Sequence, residues 1–261
     1  MSVAVLAPIS LAELTEGAAL LTRVDRKYAL TTDEAADLLR RLDPRSRVLT
    51  IDGRRTFRYE SGYFDTDDLL TYRQSAHGRR RRFKVRTRRY LDSGGAFLEV
   101  KVRGGRGVTT KERTPIAAGD HPGPPDRDFV ARTLAGHGLD PAPAGALGPT
   151  LTTRYRRTTL VPPEPGVRLT VDTDLGWSDV GGGLTVADLA APDLAVPDLV
   201  VVETKAGPHP CAVDRLLWEA GHRPVALSKY ATGLAVLRGL PANRWARVLR
   251  RHVPRETRCP A

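Results

Sequence analysis

The sequence has few of the residues that mark a disulfide-bonded, secreted or membrane-spanning protein. Its two cysteines, Cys211 and Cys259, lie far apart and have no metal-ligand spacing, which predicts a reducing compartment without a disulfide. No run of about 18 apolar residues occurs, so we expect no membrane span. The first residues lack a basic region, and Glu13 and Glu16 interrupt their apolar stretch, so we expect no signal peptide. These features together predict a cytoplasmic protein.

Aromatic residues are also scarce, and acidic residues are fewer than basic ones. Aromatic residues make up 6% of the chain, which is little for a protein that stacks on bases, so nucleic acid is not the expected partner. The 30 acidic residues are outnumbered by 41 Lys and Arg, and the formal net charge of +11 indicates polyanionic ligands. The six histidines form no metal-ligand spacing.

One basic stretch, residues 78–90, has the period of a β-strand inside it. The cations on one face are Lys84, Arg86 and Arg88, and the side chains on the other face are Phe83, Val85 and Thr87. A charged run in solvent needs no such alternation, so we predict a strand whose apolar face packs on a core and whose basic face binds an anion. The preceding Arg79–Arg82 are expected to form a solvated turn or entrance.

About eight strands are predicted in all, and most of them alternate apolar with charged residues. The further cations at matched positions are Lys27, Lys101, Lys111, Arg113, Arg157, Arg168 and Lys205, and the accompanying carboxylates are Asp25, Glu99, Asp172 and Glu203. A solvated face normally mixes charges of both signs. The pattern leaves two arrangements open. The charged faces either point to solvent, or they line a closed barrel whose charge an anion and a metal must balance.

Helices are predicted between the strands. Their expected ranges are 10–21, 32–42, 67–76, 126–136, 210–220 and 228–238. Thr31 and Glu34 form a capping box ahead of the second, and Ser228 can cap the last. Residues 138–149 are rich in Ala, Gly and Pro, but the strand pattern resumes after them unchanged, so we predict a single domain over 1–243. The basic tail, 244–261, is expected to be disordered or to touch a membrane surface, although Trp245, Val248 and Leu249 have helical spacing.

Nine short motifs follow one another along residues 20–238. They are R-x-D-x-K-Y at 23–28, Y-F-D at 63–65, K-x-R-x-R-x-Y at 84–90, E-x-K at 99–101, K-x-R at 111–113, Y-x-R at 155–157, R-x-T-x-D at 168–172, E-x-K at 203–205 and S-K-Y at 228–230. In this order they resemble the VTC (vacuolar transporter chaperone) domain family, the polyphosphate-polymerase relatives of the CYTH-like triphosphate tunnel metalloenzymes. The resemblance implies an α+β fold, an antiparallel β-barrel of about eight strands with helices packed outside.

The resemblance also implies roles for individual residues. The expected phosphate-binding residues are Lys27, Arg86, Arg88, Lys101, Lys111, Arg157, Arg168, Lys205 and Lys229, with Tyr155 and Ser228 as accessory contacts. Among them, the expected catalytic residues are Lys27, Arg86, Arg88, Lys101 and Lys229. Glu203 is the expected ligand of Mn²⁺ or Mg²⁺, and Glu99 is expected to be a second metal ligand or an ion-pair residue.

The implied activity is metal-dependent transfer of the γ-phosphate of ATP to growing inorganic polyphosphate. Hydrolytic tunnel enzymes carry E-x-E-x-K on the first strand, whereas this chain has Arg23, Asp25 and Lys27 there. The change disfavours hydrolysis, because activation of water usually needs extra carboxylates or a second metal. A triphosphate hydrolase and a non-catalytic polyphosphate- or nucleotide-binding module are the alternatives. The expected partners are ATP and inorganic polyphosphate or triphosphate, and the sequence leaves a separate membrane protein open as a further partner.

Overall fold

The computed structural model describes residues 3–16, 24–104, 109–117, 125–180 and 191–253. In these ranges the strands are β1 Ala7–Ile9, β2 Val24–Leu30, β3 Arg47–Leu49, β4 Thr56–Asp65, β5 Arg82–Tyr90, β6 Ala96–Arg103, β7 Thr109–Pro115, β8 Gly148–Val161, β9 Arg168–Asp179, β10 Leu194–Val196 and β11 Val200–Ala206. The α-helices of the same ranges are α1 Leu11–Glu16, α2 Thr32–Arg41, α3 Leu70–Ala76, α4 Arg127–Gly136, α5 Ala212–Glu219, α6 Lys229–Leu237 and α7 Ala246–His252.

The sheet has a main path of eight strands in the order β2-β11-β9-β8-β4-β5-β6-β7. Its neighbours β2/β11, β11/β9, β4/β5, β5/β6 and β6/β7 pair antiparallel. The predicted fold class, α+β with an antiparallel sheet of about eight strands and helices outside it, is confirmed. None of the helices in the described ranges is long and apolar enough to cross a bilayer.

The chain divides into two compact units. Unit 1 contains Met1–Phe57, Tyr155–Leu175 and Val196–Leu227, and unit 2 contains Arg58–Arg154, Gly176–Ala195 and Ser228–Ala261. The assignment of residues 1–243 to a single domain stays a prediction.

In unit 1 the apolar faces of the strands form a core with α2 and α5. Val167, Leu169 and Val171 of β9 and its entry are buried there, with Val200 and Val202 of β11. The charged residues between these apolar positions therefore lie on the opposite face of the sheet, because side chains alternate along a strand. The alternation predicted for these strands is confirmed.

Unit 2 repeats this arrangement with different helices. Phe83 and Val85 of β5 and Val100 of β6 share a buried cluster with Val130 and Leu134 of α4. The basic positions of β5 and β6 consequently lie on the face away from α4. The basic stretch is thus a strand with one apolar face, as its period predicts.

The helix caps follow the sequence closely. The Glu34 amide donates to Thr31 Oγ1 at 3.2 Å, and the Thr31 amide donates to Glu34 Oε2 at 2.8 Å, which is the predicted capping box of α2. The Ala231 amide donates to Ser228 Oγ, so Ser228 caps α6 as expected.

Two predicted stretches differ from the structure in their extent. The helix expected over 10–21 is described as α1, Leu11–Glu16, and residues 17–21 lie outside the described ranges, as does Arg23. The stretch expected to be a basic tail contains α7, whose flanking Trp245 and inner Val248 are buried. Burial of this apolar side stabilises a helix where charge alone predicted a disordered segment.

We predict that Gly233→Ala destabilises the protein by about 1–3 kcal/mol, because overpacking of a filled core costs this much. A Cβ on Gly233 would clash with the ring of Trp177, which is fully buried and donates from Nε1 to the Lys229 carbonyl at 2.7 Å. Urea unfolding measures the change. Gly136→Ala in α4 is the control, since a Cβ there meets nothing within 4 Å. Equal stability of both variants would contradict this packing.

Candidate phosphate-binding site

In unit 1, three predicted site residues meet on β2 and β11. Lys27 is the direct cross-strand partner of Glu203, and its Nζ donates to Glu203 Oε1 at 2.6 Å. Lys205 Nζ lies 2.9 Å from the same oxygen and 3.6 Å from Asp25 Oδ2. We call Asp25, Lys27, Glu203 and Lys205 the Glu203 cluster. Both lysines are largely buried, so the cluster holds its cations in a fixed position.

The Glu203 carboxylate stays ionised although it is buried. Burial raises its pKa, but the charges of Lys27, Lys205 and Arg157 outweigh that effect and hold the pKa well below its usual range. Burial conversely lowers the pKa of Lys205, against the charges of Glu203 and Asp25. Glu203, Lys27 and Lys205 therefore form a charged network in which two lysines share one glutamate.

Arg157 of β8 is held by a carboxylate of the neighbouring strand. Its Nε and Nη2 donate to the two oxygens of Asp172 at 2.6 and 2.8 Å, in the two-pronged geometry that Arg and carboxylate favour. Its guanidinium also lies over the ring of Tyr155, 5.4 Å from the centroid. Tyr155 is buried, so the ring that the sequence assigns as a phosphate contact packs against Arg157.

Arg168 of β9 donates from Nη2 to the main-chain carbonyl of Leu14 in α1, at 2.7 Å. The sequence predicts Arg168 as a phosphate ligand and gives no indication of this contact. At least one N–H group of Arg168 is therefore used in a hydrogen bond to α1.

In unit 2, Glu99 of β6 accepts hydrogen bonds from two further predicted site residues. Arg86 Nε and Nη2 donate to Glu99 Oε2 at 2.8 and 2.6 Å, and Lys111 Nζ donates to Oε1 at 2.9 Å. Arg86 Nη1 also donates to the Tyr63 hydroxyl at 3.1 Å. We call Arg86, Glu99 and Lys111 the Glu99 cluster. Because both oxygens of Glu99 accept hydrogen bonds from cations, this geometry favours the ion-pair role for Glu99 over a metal ligand.

The register of β5, β6 and β7 aligns the remaining cations in cross-strand rows. Lys84, Lys101 and Lys111 form one row, and Arg86, Glu99 and Arg113 form the next. Side chains directly opposite each other lie about 5 Å apart at Cβ, and like charges in that position repel. These two rows contain five cations and one carboxylate, so the residues of the rows carry a net positive charge.

Arg88 and the start of α6 border these rows. Arg88 is 8% exposed and lies over the ring of Tyr59 at 5.5 Å. Lys84 Nζ donates at 2.7 Å to Ser228 Oγ, the cap of α6, and Lys229 is the first residue of that helix. The positive end of the helix dipole thus lies next to Lys84, where a phosphate would be stabilised.

Tyr230 and Asp65 were not predicted as functional residues, although both belong to quoted motifs. The Tyr230 hydroxyl donates to Asp65 Oδ2, and its ring stacks on Tyr63 at 5.1 Å. Asp65 also accepts from the Thr71 hydroxyl, from the Thr66 amide and from the Thr71 and Tyr72 amides in the first turn of α3. Asp65 therefore fixes the first turn of α6 to β4, and so positions Ser228 and Lys229.

A second buried carboxylate, which the sequence analysis did not identify, lies against the opposite face of β2 and β11. Asp214 of α5 accepts from the Tyr28 hydroxyl at 2.7 Å, the Thr204 hydroxyl at 2.6 Å and the Cys211 amide at 3.0 Å. Arg26 pairs with the same carboxylate at 3.4 Å. These bonds hold α5 against the two strands that carry the Glu203 cluster.

The described residues contain no group of three or more His, Cys, Asp or Glu side chains that could hold a metal ion. Glu203 Oε1 accepts from two lysines, whereas no hydrogen bond within the described ranges involves Glu203 Oε2. One carboxylate oxygen fits an ion whose other ligands are substrate phosphates and water, which is how Mg²⁺ is commonly held. The donor set does not fit a metal ion bound by protein side chains alone.

The family model of the VTC domain matches residues 22–121 and 142–238. These ranges cover more than half of the chain, and they contain every predicted site residue. The chain belongs to the VTC domain family. A search among curated protein sequences found no match.

Several solved structures are similar to this chain. A proposed adenylyl cyclase from Hippeastrum, described as having a dominant triphosphatase activity, is 16% identical with a TM-score of 0.46, and the match covers 85% of this chain and 100% of that chain. A proposed adenylate cyclase from Bacillus halodurans is 11% identical with a TM-score of 0.42, covering 90% and 95%. One from Vibrio parahaemolyticus is 13% identical with a TM-score of 0.39, covering 76% and 86%. We report these similarities as likenesses of fold.

We predict that Glu99→Gln lowers the free energy of unfolding by about 3 kcal/mol, because it leaves Arg86 and Lys111 facing each other without a counter-charge. The same variant should bind tripolyphosphate at least as tightly as the wild type, since its cations lose an internal competitor. Thermal unfolding and calorimetry measure the two effects. Asp174→Asn, which breaks the exposed pair with Arg156, is the control and should change stability little. Loss of both stability and binding would count against this view of Glu99.

The stability difference between wild type and Glu99→Gln should depend on pH in one direction. Burial raises the pKa of Glu99, but Arg86, Arg88 and Lys111 outweigh it and bring the pKa below the ordinary 4.5. The stabilisation is therefore fully present above pH 4.5 and lost as the pH falls through the folded-state value. Denaturant unfolding across acid and neutral pH should give a constant difference near neutrality that shrinks in acid. A difference that grows in acid would refute the assignment.

Proposed function

We propose that this protein binds ATP and inorganic polyphosphate and transfers the γ-phosphate of ATP to the growing polyphosphate chain, with Mn²⁺ or Mg²⁺ as the cofactor. The observation that carries the proposal is the excess of aligned cations over carboxylates on the charged strand faces, around Glu99 and Glu203. Membership of the VTC domain family supports the same substrate class.

Phosphoryl transfer depends mainly on positioning and on neutralising the charge of the transferred group. Lys27, Arg86, Arg88, Lys101 and Lys229 are the proposed catalytic residues, because they would hold phosphates at the reacting position. Lys111, Arg157, Arg168, Lys205 and Ser228 would bind the flanking phosphates, and Tyr155 would support Arg157. Arg forks such as Arg86 and Arg157 are prealigned by their carboxylates, so little side-chain entropy is lost when phosphate binds.

Glu203 would hold the divalent ion through Oε2, and the ion when bound would supply positive charge to the phosphate oxygens. Lys27 and Lys205 keep the Glu203 carboxylate ionised and oriented. In the Glu203 cluster the only other carboxylate is Asp25, which pairs with Lys205. A polyphosphate end is already anionic and needs no general base, whereas water must be activated. This scarcity of bases favours transfer to polyphosphate over hydrolysis.

Incubation of the purified protein with ATP and Mn²⁺ tests the activity. We expect long polyphosphate chains on a gel and release of ADP. Release of free phosphate without chains would instead establish the triphosphate hydrolase, and binding without either product would establish the binding module.

We predict that Glu203→Gln lowers the rate of chain formation by about a hundredfold or more, since one well-placed charge in a transition state contributes about 3–4 kcal/mol. Tripolyphosphate affinity should stay close to that of the wild type, because the lysines remain. Asp198→Asn, an exposed residue that accepts from the Thr32 amide, is the matched control and should keep full activity. Equal loss of affinity and rate in Glu203→Gln would argue against a metal role.

We also expect the affinity for Mn²⁺ to depend on phosphate, because the protein supplies a single carboxylate oxygen. Electron paramagnetic resonance should show weak Mn²⁺ binding to the protein alone and tighter binding when a non-hydrolysable triphosphate analogue is present. Tight Mn²⁺ binding without the analogue, retained in Glu203→Gln, would contradict this expectation.

A further inference from the structure

A group of exposed arginines lies on unit 2 outside the cation rows of β5–β7. We call Arg79, Arg80, Arg81, Arg244 and Arg247 the outer arginine cluster. The first three form the turn that leads into β5, and all five side chains are exposed. A solvated basic turn is the ordinary interpretation of such a run, and the sequence predicts it. The contacts of Arg244 place a second segment of the chain, the turn before α7, beside this turn.

Arg244 is fixed beside the turn by α3. Its Nη1 donates to the Ser75 carbonyl at 3.3 Å, and a Cβ on Gly78 would clash with the same atom. Ser75 lies in the last turn of α3, where the helix dipole favours a cation. Gly78 has a φ of +66°, which a glycine adopts without strain. The absence of a side chain at Gly78 thus leaves room for the guanidinium of Arg244.

Helix α7 holds a further arginine in place. Arg247 lies in the first turn of α7, three residues after Arg244, which lies in the turn that precedes the helix. The other side of the segment is anchored by Trp245, Val248 and Leu249, which are buried. The arginines are therefore presented by packed elements.

The outer arginine cluster is continuous with the cation rows. Arg82, at the start of β5, is the cross-strand partner of Arg103, one step along the strands from the row that contains Lys84 and Lys101. Burial lowers the pKa of Arg82, and the charges of Arg103 and Arg244 lower it further. Positive charge therefore runs without interruption from the rows to Arg244.

Several arginines of this path lack a carboxylate partner in the part of the chain that the structure describes. There, Arg79, Arg81, Arg103 and Arg247 take part in no ion pair. A polyanion that crosses the surface would relieve the repulsion between them.

We propose that the outer arginine cluster binds the stretch of a long inorganic polyphosphate chain that extends beyond the candidate site, so that the protein prefers long chains to triphosphate. The inference rests on the proposed function and specifies its substrate. From Arg88 to Arg82 the rows cover about 20 Å, at about 3.4 Å per residue. A triphosphate is much shorter than this path, so only a long chain reaches both ends of it.

Other polyanions fit the surface less well. Single-stranded nucleic acid needs exposed aromatic rings, whereas Trp245 and Tyr72 beside the cluster are buried. Membrane insertion needs exposed apolar side chains, and within the described residues the large exposed ones are Val5, Leu11 and Val24, all in unit 1.

The test compares long-chain polyphosphate with tripolyphosphate on the triple variant Arg79→Ser/Arg81→Ser/Arg247→Ser. We expect the affinity for the long chain to fall on the order of tenfold, since each exposed pair contributes a few-fold, and its salt dependence to weaken. The affinity for tripolyphosphate should not change. The control Arg127→Ser/Arg132→Ser/Arg215→Ser removes the same charge from exposed positions elsewhere and should leave both affinities unchanged.

The remaining outcomes overturn the inference. The inference is wrong if the cluster variant binds long-chain polyphosphate as tightly as the wild type does. This holds even if the variant loses binding to phosphatidylserine vesicles or duplex DNA, because such a loss would assign the cluster to another polyanion. An equal loss for both chain lengths would show that the arginines act on the site as a whole. Failure of the wild type to bind tripolyphosphate would refute the proposed function itself, and the inference with it, so the two failures are distinguishable.

Discussion

Repulsion between like charges is the constraint on which the charged strand faces depend. Cations stand directly opposite one another on β5, β6 and β7 of unit 2, and lysines also lie close together on β2 and β11 of unit 1. In each group a buried glutamate offsets part of the repulsion. Glu99 binds Arg86 and Lys111, and Glu203 binds Lys27 and Lys205. The aligned cations outnumber these glutamates, so the charged strand faces keep an excess of positive charge that a bound phosphate can offset.

The faces of the strands could be predicted from the sequence because side chains alternate with a period of two residues. Helix caps such as Thr31 and Ser228 were equally accessible, since they depend on neighbours within four residues. The partners of the charged residues were not. Lys111 meets Glu99 only through the register of β6 and β7, and Arg168 meets a carbonyl of α1 from a distant part of the chain.

The motifs also contained residues whose roles became visible only in three dimensions. Asp65 and Tyr230 are 165 positions apart, yet their hydrogen bond fixes the start of α6. Net charge favoured a disordered segment after residue 243, although Trp245, Val248 and Leu249 have helical spacing, and burial of these three residues accompanies the formation of α7. The position of α6 and the formation of α7 therefore depend on tertiary packing, which a local sequence pattern does not contain.

The sharing of one glutamate by cations from two strands has a consequence for how such chains can vary. A neutral residue in place of Lys111 would leave Arg86 as the hydrogen-bonded cation of Glu99, and loss of Glu99 would leave Arg86 and Lys111 without the carboxylate that they share. Substitutions at positions 86, 99 and 111 should therefore be tolerated in concert more readily than singly. We expect these three positions to co-vary among relatives, whereas exposed positions outside both clusters, such as Arg132, should vary independently.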